Sequence, residues 1–413
     1  MDNKESSYIR KRKLKAFRES LLYYIFRIFP IRKNRIAVTT FEGKGGFCCN
    51  PKYIVKELHK RNSELEFIWL VNDPKSKEFP DYIRKVKNDI WHRAYYLTTS
   101  KVWIDNYRKP LGTKKRRGQF YVNTWHGSLA FKRLGLLRGE GFSKIAYLVS
   151  KDDSDMIDAL IVSSEWSVQA FRKGLVYDGD FFKLGQARED ILYQRDEEKI
   201  REVKVSLGIS VNTHVVLYVP TFREKHQDTD RSVFSEQSSI NLEQIRQELE
   251  SRFGGEWMVL LKLHPQLAAN HKSNNISDNE LDVTLYDDVY ELMLISDAVI
   301  TDYSSLAFEA GGACIPTFLY MDDLDEYISQ RGGLCFKINE NKKFVTDKSI
   351  TPDIDAELPF SIATNNAEMI QNIQRFDREE YNEGCNKMIS DLGIFLDGNA
   401  SERAADMIEK VLA

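Results

Sequence analysis

Ala298-Val299-Ile300-Thr301-Asp302-Tyr303-Ser304-Ser305-Leu306-Ala307-Phe308-Glu309-Ala310-Gly311 holds the change of period on which the fold turns. Ala298–Thr301 is a short apolar run, the mark of a strand buried on both faces. Asp302, Tyr303 and two serines interrupt it. From Ser304 to Gly311 the small and apolar residues follow helical spacing. A strand that ends in hydroxyls and passes directly into a helix is one step of a parallel α/β sheet.

The same alternation extends in both directions. Towards the C-terminus, Pro316–Tyr320 reads as the next strand. Towards the N-terminus, Asp287–Ile295 reads as a helix, Met258–Leu263 as a strand, Leu242–Arg252 as a helix and Val215–Val219 as a strand. Beyond the charged stretch Arg188–Arg201 a second series is legible. Its strands are Ile36–Phe41, Phe67–Val71, Val102–Asp105, Phe120–Thr124 and Ala159–Val162, with helices at Pro51–Lys60 and Glu165–Lys173. The chain has 413 residues, 42% of them hydrophobic, with 23 Phe and 19 Tyr. That is material for two cores rather than one. The expected class is α/β, with two doubly wound domains at 35–195 and 196–395 and a terminal helix at 396–413. The polar run His226–Ser239 reads as a loop.

Residues 1–34 stand apart. Up to Arg35 there are eleven Lys/Arg against three Asp/Glu, a net of +8, so the rest of a chain of net charge −3 carries −11. Leu14, Phe17, Leu21, Ile25 and Ile28 recur at helical steps, while Arg10, Lys11, Arg12, Lys13, Lys15 and Arg18 supply charge, and Pro30 ends the segment. Such a helix suits a membrane surface, or it packs on the body; the pattern leaves both open. No apolar run reaches the ~18 residues of a membrane span, and no small-residue cleavage site follows Leu21–Pro30. Bulk charge gives no reason to expect nucleic acid as a partner. The five cysteines, an odd number with no CxxC pair, give neither a disulfide framework nor a zinc site and fit a reducing cytosol.

Chemistry is expected where strands end. Phe120–Thr124 runs into Trp125-His126-Gly127-Ser128, with Lys132 and Arg133 close behind. Val215–Val219 runs into Pro220-Thr221-Phe222-Arg223. Met258–Leu263 runs into His264-Pro265, and Ala298–Thr301 into the Asp302–Ser305 turn. Gly127 gives the chain room to turn beside His126. Ser304 and Ser305 stand where helix N–H groups cap or bind phosphate. With Arg223 and His264 on neighbouring strand ends, a diphosphate is the ligand these groups suit. Gly43-Lys44-Gly45-Gly46 lacks the Gly-Lys-Ser/Thr of a Walker loop and reads as a loop on the acceptor side. No acidic cluster is spaced to hold Mg²⁺, so no metal and no cofactor is expected.

Taken together, Trp125-His126-Gly127, Tyr218–Arg223, Leu261–Pro265 and Ile300–Ser305 resemble the CDP-glycerol glycerophosphotransferases of teichoic acid and capsule synthesis. Val102–Asn106, Gly185–Asp190, Tyr327 with Arg331-Gly332, and Asp397-Gly398 extend the resemblance over roughly residues 36–410. The sequence departs from the family pattern at Gln186-Ala187, where a proline is usual, at Glu189 in place of Asn, and at Leu358-Pro359-Phe360, which lacks a glycine. The resemblance implies a GT-B arrangement, two facing Rossmann-like domains with a cleft between them. It implies transfer of an alditol phosphate from a CDP-alditol to a hydroxyl, with release of CMP; the basic arm would hold the enzyme on the cytoplasmic face of the membrane, near a lipid-linked or polymeric acceptor. By the same resemblance His126 is the base. Arg223 and His264 stabilise the diphosphate, and His264 protonates the leaving CMP. Thr301, Asp302, Ser304 and Ser305 hold the donor, and Glu309 meets its ribose or base. Gly127, Lys132 and Arg188 contact acceptor or phosphate. A ribitol-phosphate transferase of the same family and a glycosyltransferase using a nucleotide sugar remain alternatives. A non-catalytic scaffold has no use for His126 and His264.

Overall fold

The computed structural model describes residues 2–221, 239–263 and 275–413. The chain divides into two compact units, and each is the α/β layering expected from the alternation. The first holds the residues up to Ser128, Leu134–Asp190 and Phe395–Ala413; the second holds Leu129–Arg133 and Ile191–Ile394.

In the first unit seven strands form one parallel sheet: β1 (Arg32–Thr39), β2 (Glu66–Val71), β3 (Ile83–Lys87), β4 (Ser100–Asp105), β5 (Phe120–Asn123), β6 (Ala159–Val162) and β7 (Phe181–Lys183). Their order is β3-β2-β1-β4-β5-β6-β7. The chain therefore builds outward from β1 to β3, then reverses and continues on the other side of β1 with β4. β3 and β7 escape a reading by apolar runs because they are edge strands, with Arg84, Lys85, Lys87 and Lys183 exposed. Ala37, Ile68, Leu70, Leu97, Trp103 and Tyr121 fill the core under the sheet.

In the second unit the strands are β8 (His214–Val219), β9 (Trp257–Leu261), β10 (Asn275–Ser277), β11 (Glu280–Asp282), β12 (Ala298–Thr301), β13 (Thr317–Tyr320), the hairpin β14 (Phe336–Ile338) and β15 (Phe344–Thr346), and β16 (Ser361–Ala363). The main sheet runs β10-β11-β9-β8-β12-β13-β16 and is parallel except at β10–β11. Val215, Leu217, Leu260, Leu292, Leu294 and Val299 form its core. The reversal recurs here, between β8 and β12. The terminal helix Ala400–Leu412 belongs to the first unit, where Asp190 accepts from the Ala400 and Ser401 amides at 2.9 and 2.7 Å.

The N-terminal helix α1 (Asp2–Ile25) answers the question its pattern left open. It packs on the body, but by the face opposite the apolar stripe. Ala16, Ser20 and Tyr23 are buried, whereas Phe17 is 63% and Ile28 78% exposed, and Leu14, Leu21 and Ile25 are exposed with them. Small residues allow close approach: Ala16 lies against Gly112, whose φ of +92° no other residue adopts easily. Tyr23 donates to Thr113 at 3.4 Å, and Arg27 to the Lys115 carbonyl at 3.4 Å. Gly112→Ala is expected to undock α1. Its Cβ would collide with the Ala16 carbonyl while forcing a disfavoured φ, at a cost of about 1–3 kcal/mol. The variant should show a lower Tm and faster proteolysis within residues 2–30, with the rest of the chain resisting as before.

Candidate functional site

In each unit several of the predicted residues lie at the reversal point of the sheet, where ligands of open α/β sheets bind. In the first unit the neighbouring ends of β1, β4 and β5 carry Phe41, Asn106-Tyr107 and Trp125-His126. The Asn106 carbonyl lies 2.8 Å from His126 Nδ1. A carbonyl only accepts, so Nδ1 carries the imidazole proton and Nε2 is the basic nitrogen. Three rings surround the imidazole: Trp125 at 4.7 Å, Tyr107 stacked at 5.1 Å and Phe41 edge-on at 5.8 Å between centroids. The turn is made differently from expectation. Trp125, not Gly127, takes the left-handed conformation, with φ +50°. That conformation costs an ordinary residue about 1–2 kcal/mol. It is held by the Trp125 amide donating to Asn123 Oδ1 at 2.8 Å and by Asn50 Nδ2 on the Trp125 carbonyl at 3.4 Å.

Arg188 joins this group through Asn50. Its amide donates to Asn50 Oδ1 at 3.1 Å, and its guanidinium lies 3.3 Å from Cys49 Sγ; the side chain is buried. Lys132 lies in Leu129–Arg133, which belongs to the second unit; there Lys132 forms a bridge with Leu334 and its carbonyl accepts from Cys335. The Phe131 ring sits there 4.6 Å from Phe308.

In the second unit β9, β8 and β12 are adjacent and parallel, so the chain ends leading to His264, to Arg223 and to the serine turn leave the sheet side by side. Arg223 and His264 themselves lie outside the described residues. Asp302 stitches the reversal point together: its carboxylate accepts from the Thr221 amide at 3.0 Å, the Thr221 hydroxyl at 3.1 Å and the Tyr303 amide at 2.6 Å. Thr301 is buried and donates to the Val219 carbonyl at 2.6 Å. Glu309 is buried too and accepts from the Tyr290 hydroxyl. Thr301 and Asp302 build the turn. Ser304 and Ser305 remain half-buried at its surface, and Ser305 makes no side-chain cap on the helix Leu306–Gly312. Tyr303 stacks on Tyr327 at 3.6 Å behind them. Among the described residues no group of three or more His, Cys, Asp or Glu is placed to hold a metal ion.

Sequence reasoning missed what lies beneath His126. Asp105, at the end of β4, and Lys109 form a fully buried ion pair of 2.6 Å, and Lys109 also donates to Thr39 at 3.2 Å. The Lys109 amide and the Tyr121 hydroxyl both donate to Asp153, at 2.9 and 3.1 Å. The available signal was the Asp105-Asn106 pair at a strand end, with a lysine four residues on.

Comparison with known proteins gives a consistent result. The family model for CDP-glycerol:poly(glycerophosphate) glycerophosphotransferase matches residues 21–410. The chain is 27% identical over 392 residues to a teichoic acid poly(glycerol phosphate) polymerase of Staphylococcus epidermidis, covering 92% of this chain and 51% of that one. It is 27% identical over 416 residues to a teichoic acid glycerol-phosphate transferase of Staphylococcus aureus, covering 97% and 100%. The solved wall teichoic acid polymerase TagF superposes with a TM-score of 0.78 at 25% identity, over 97% of each chain. The chain spans about half the length of the poly(glycerol phosphate) polymerases of S. epidermidis and Bacillus subtilis.

Burial pushes the Asp153 carboxyl up to about 7, and the charge of Asp105 adds to the effect against the Lys109 amide, which opposes it. The folded chain thus keeps a proton on Asp153 that the unfolded chain loses near pH 4. Its contribution to stability is complete below about pH 4 and is lost as pH rises towards 7. Asp153→Asn keeps an oxygen for both donors and removes the titration. Unfolding free energies by urea between pH 4.5 and 7.5 should fall less with pH in the variant, by up to about 1.4 kcal/mol per pH unit. Parallel profiles would show that Asp153 does not titrate in this window.

Proposed function

The chain belongs to the CDP-glycerol:poly(glycerophosphate) glycerophosphotransferase family, and on that premise we propose that it transfers glycerol phosphate from CDP-glycerol to a hydroxyl of a teichoic-acid-like polymer, releasing CMP. The observation that carries the reading is the tautomer of His126. With Nδ1–H held by the Asn106 carbonyl, Nε2 is the nitrogen that takes a proton from an acceptor hydroxyl. The acceptor oxygen then bonds to the glycerol-bearing phosphorus, the bond from that phosphorus to the bridging oxygen breaks, and CMP departs. Such a transfer asks the protein for positioning and charge stabilisation above all. We assign stabilisation of the departing phosphate to Arg223 and His264, with His264 as the proton donor to CMP. Ser304 and Ser305 contact the phosphates from the turn that Thr301 and Asp302 build. We assign Glu309 to the ribose or base of the donor. Gly127 and Arg188 line the acceptor side.

Location follows from α1. Among the described residues no helix is long and apolar enough to cross a membrane. The outward stripe of Leu14, Phe17, Leu21, Ile25 and Ile28, joined by exposed Tyr24, Phe29 and Trp91, offers apolar surface. Arg10, Lys11, Arg12, Lys13, Lys15 and Arg18 are all exposed beside it. That combination suits peripheral binding to anionic lipid on the cytoplasmic face, each cation adding about 1 kcal/mol near the surface. There the enzyme meets a lipid-linked acceptor.

Two measurements test this. Incubated with CDP-glycerol, CDP-ribitol or a nucleotide sugar in turn, the protein should release CMP with acceptor from CDP-glycerol. His126→Ala should cut that rate roughly 10²–10⁴-fold while still binding donor. Release from CDP-ribitol alone would move the assignment to ribitol phosphate, and near-wild-type turnover by the variant would remove His126 from the mechanism. In co-sedimentation with anionic liposomes, Phe17→Glu/Leu21→Glu should lose binding, and salt should weaken the wild type. Equal sedimentation of both proteins refutes the membrane role.

A further inference from the structure

The hydrogen bond that holds the His126 imidazole leads back to the buried Asp105–Lys109 ion pair. Lys109 and Asp105 are each 2% exposed and 2.6 Å apart. Asp105 spends its oxygens on the two loops of the site. Its carboxylate accepts from the Tyr107 amide at 2.9 Å, and its carbonyl accepts from the Thr124 amide at 2.8 Å. The first bond closes the turn that aims the Asn106 carbonyl at His126 Nδ1. The second ties that turn to the strand end from which Trp125 and His126 project. Tyr107 completes the link: its carbonyl accepts from Asn123 Nδ2 at 3.1 Å while its ring stacks on the imidazole. Lys109 reaches Thr39 at the end of β1 as well, so one ammonium ties together two strand ends at the reversal point.

We propose that Lys109 is a positioning residue for His126: its buried ammonium keeps Asp105 ionised, and ionised Asp105 holds the turn whose Asn106 carbonyl selects the imidazole tautomer. This rests on His126 being the base. Without the ammonium, a carboxylate in this dry site takes up a proton. A neutral carboxyl is a weaker acceptor for the Tyr107 amide than a carboxylate. The turn loosens, the Nδ1–H hydrogen bond weakens, and the proton spends part of its time on Nε2, where the imidazole cannot act on an acceptor hydroxyl.

The test uses the full chain with Lys109→Met, Lys109→Gln and the neutral pair Asp105→Asn/Lys109→Met, read by ¹⁵N NMR of the His126 ring and by CMP release from CDP-glycerol. The wild type should show Nδ1–H. Each single variant should show a mixture of tautomers and a kcat lower by about 10–100-fold, with KM for the donor within about 2-fold. The neutral pair keeps an amide oxygen for Tyr107 without a buried charge, and should recover the wild-type tautomer and most of kcat. Wild-type tautomer and kcat in a folded single variant overturn the proposal. So does unfolding of both single variants, which would make the pair a folding element only. The ring spectrum needs no substrate. A wild type that releases no CMP therefore counts against the assigned reaction, while the spectra still decide the role of Lys109.

Discussion

Parallel strands send all their carboxyl ends to one edge of a sheet, and in both units the site depends on that constraint. A chain that builds outward from its first strand and then returns to the other side leaves two loops diverging at the reversal. In the first unit the diverging loops follow β1 and β4, and the Phe41 amide donates across the gap to Asn106 at 2.8 Å. In the second they follow β8 and β12, and Asp302 spans them by taking both Thr221 donors. The same topological event thus positions His126 in one unit and a serine turn in the other.

The two reversal points are stabilised by different means. Asp302 has backbone and hydroxyl donors close by. Asp105 is buried beside a second carboxylate, Asp153, and requires Lys109. Burial pushes the Asp105 carboxyl up, and the charge of Lys109 is the strongest influence in the other direction. A buried pair of this kind adds little net stability, because desolvation offsets most of the attraction. Its value lies in geometry: it orients Asp105 so that two loops meet at one imidazole.

The helix α1 shows how one segment serves two surfaces. Its apolar stripe and its docking face are both real, and they point in different directions. Docking relies on small or hydrogen-bonding residues, Ala16, Ser20 and Tyr23, which no hydropathy pattern marks as a core face. The larger apolar residues stay outside. Periodicity found the helix and the stripe but had no means of assigning the stripe to protein or to lipid, since both are apolar partners.

The alternation of apolar runs and helical spacing was enough, from the sequence alone, to establish the α/β class and most central strands, because a buried parallel strand must be apolar along its whole length. The strand-end position of His126, Thr301, Asp302, Ser304 and Ser305 was legible for the same reason. Edge strands β3 and β7 were not, because solvent on one side lets lysines into them. The sequence also placed Gly127 at the turn, whereas Trp125 occupies the left-handed position, held by its near neighbour Asn123 and by Asn50 from a distant part of the chain. Lys132 looked like a neighbour of His126, six residues away, but its backbone pairs with Leu334. Glu309 and Thr301 are buried and bonded to the Tyr290 hydroxyl and the Val219 carbonyl, partners that a place near a strand end does not reveal. Tertiary structure decided all of these, because a polar side chain at a strand end binds whichever partner the fold brings within 3 Å. Separation along the chain says nothing about that partner.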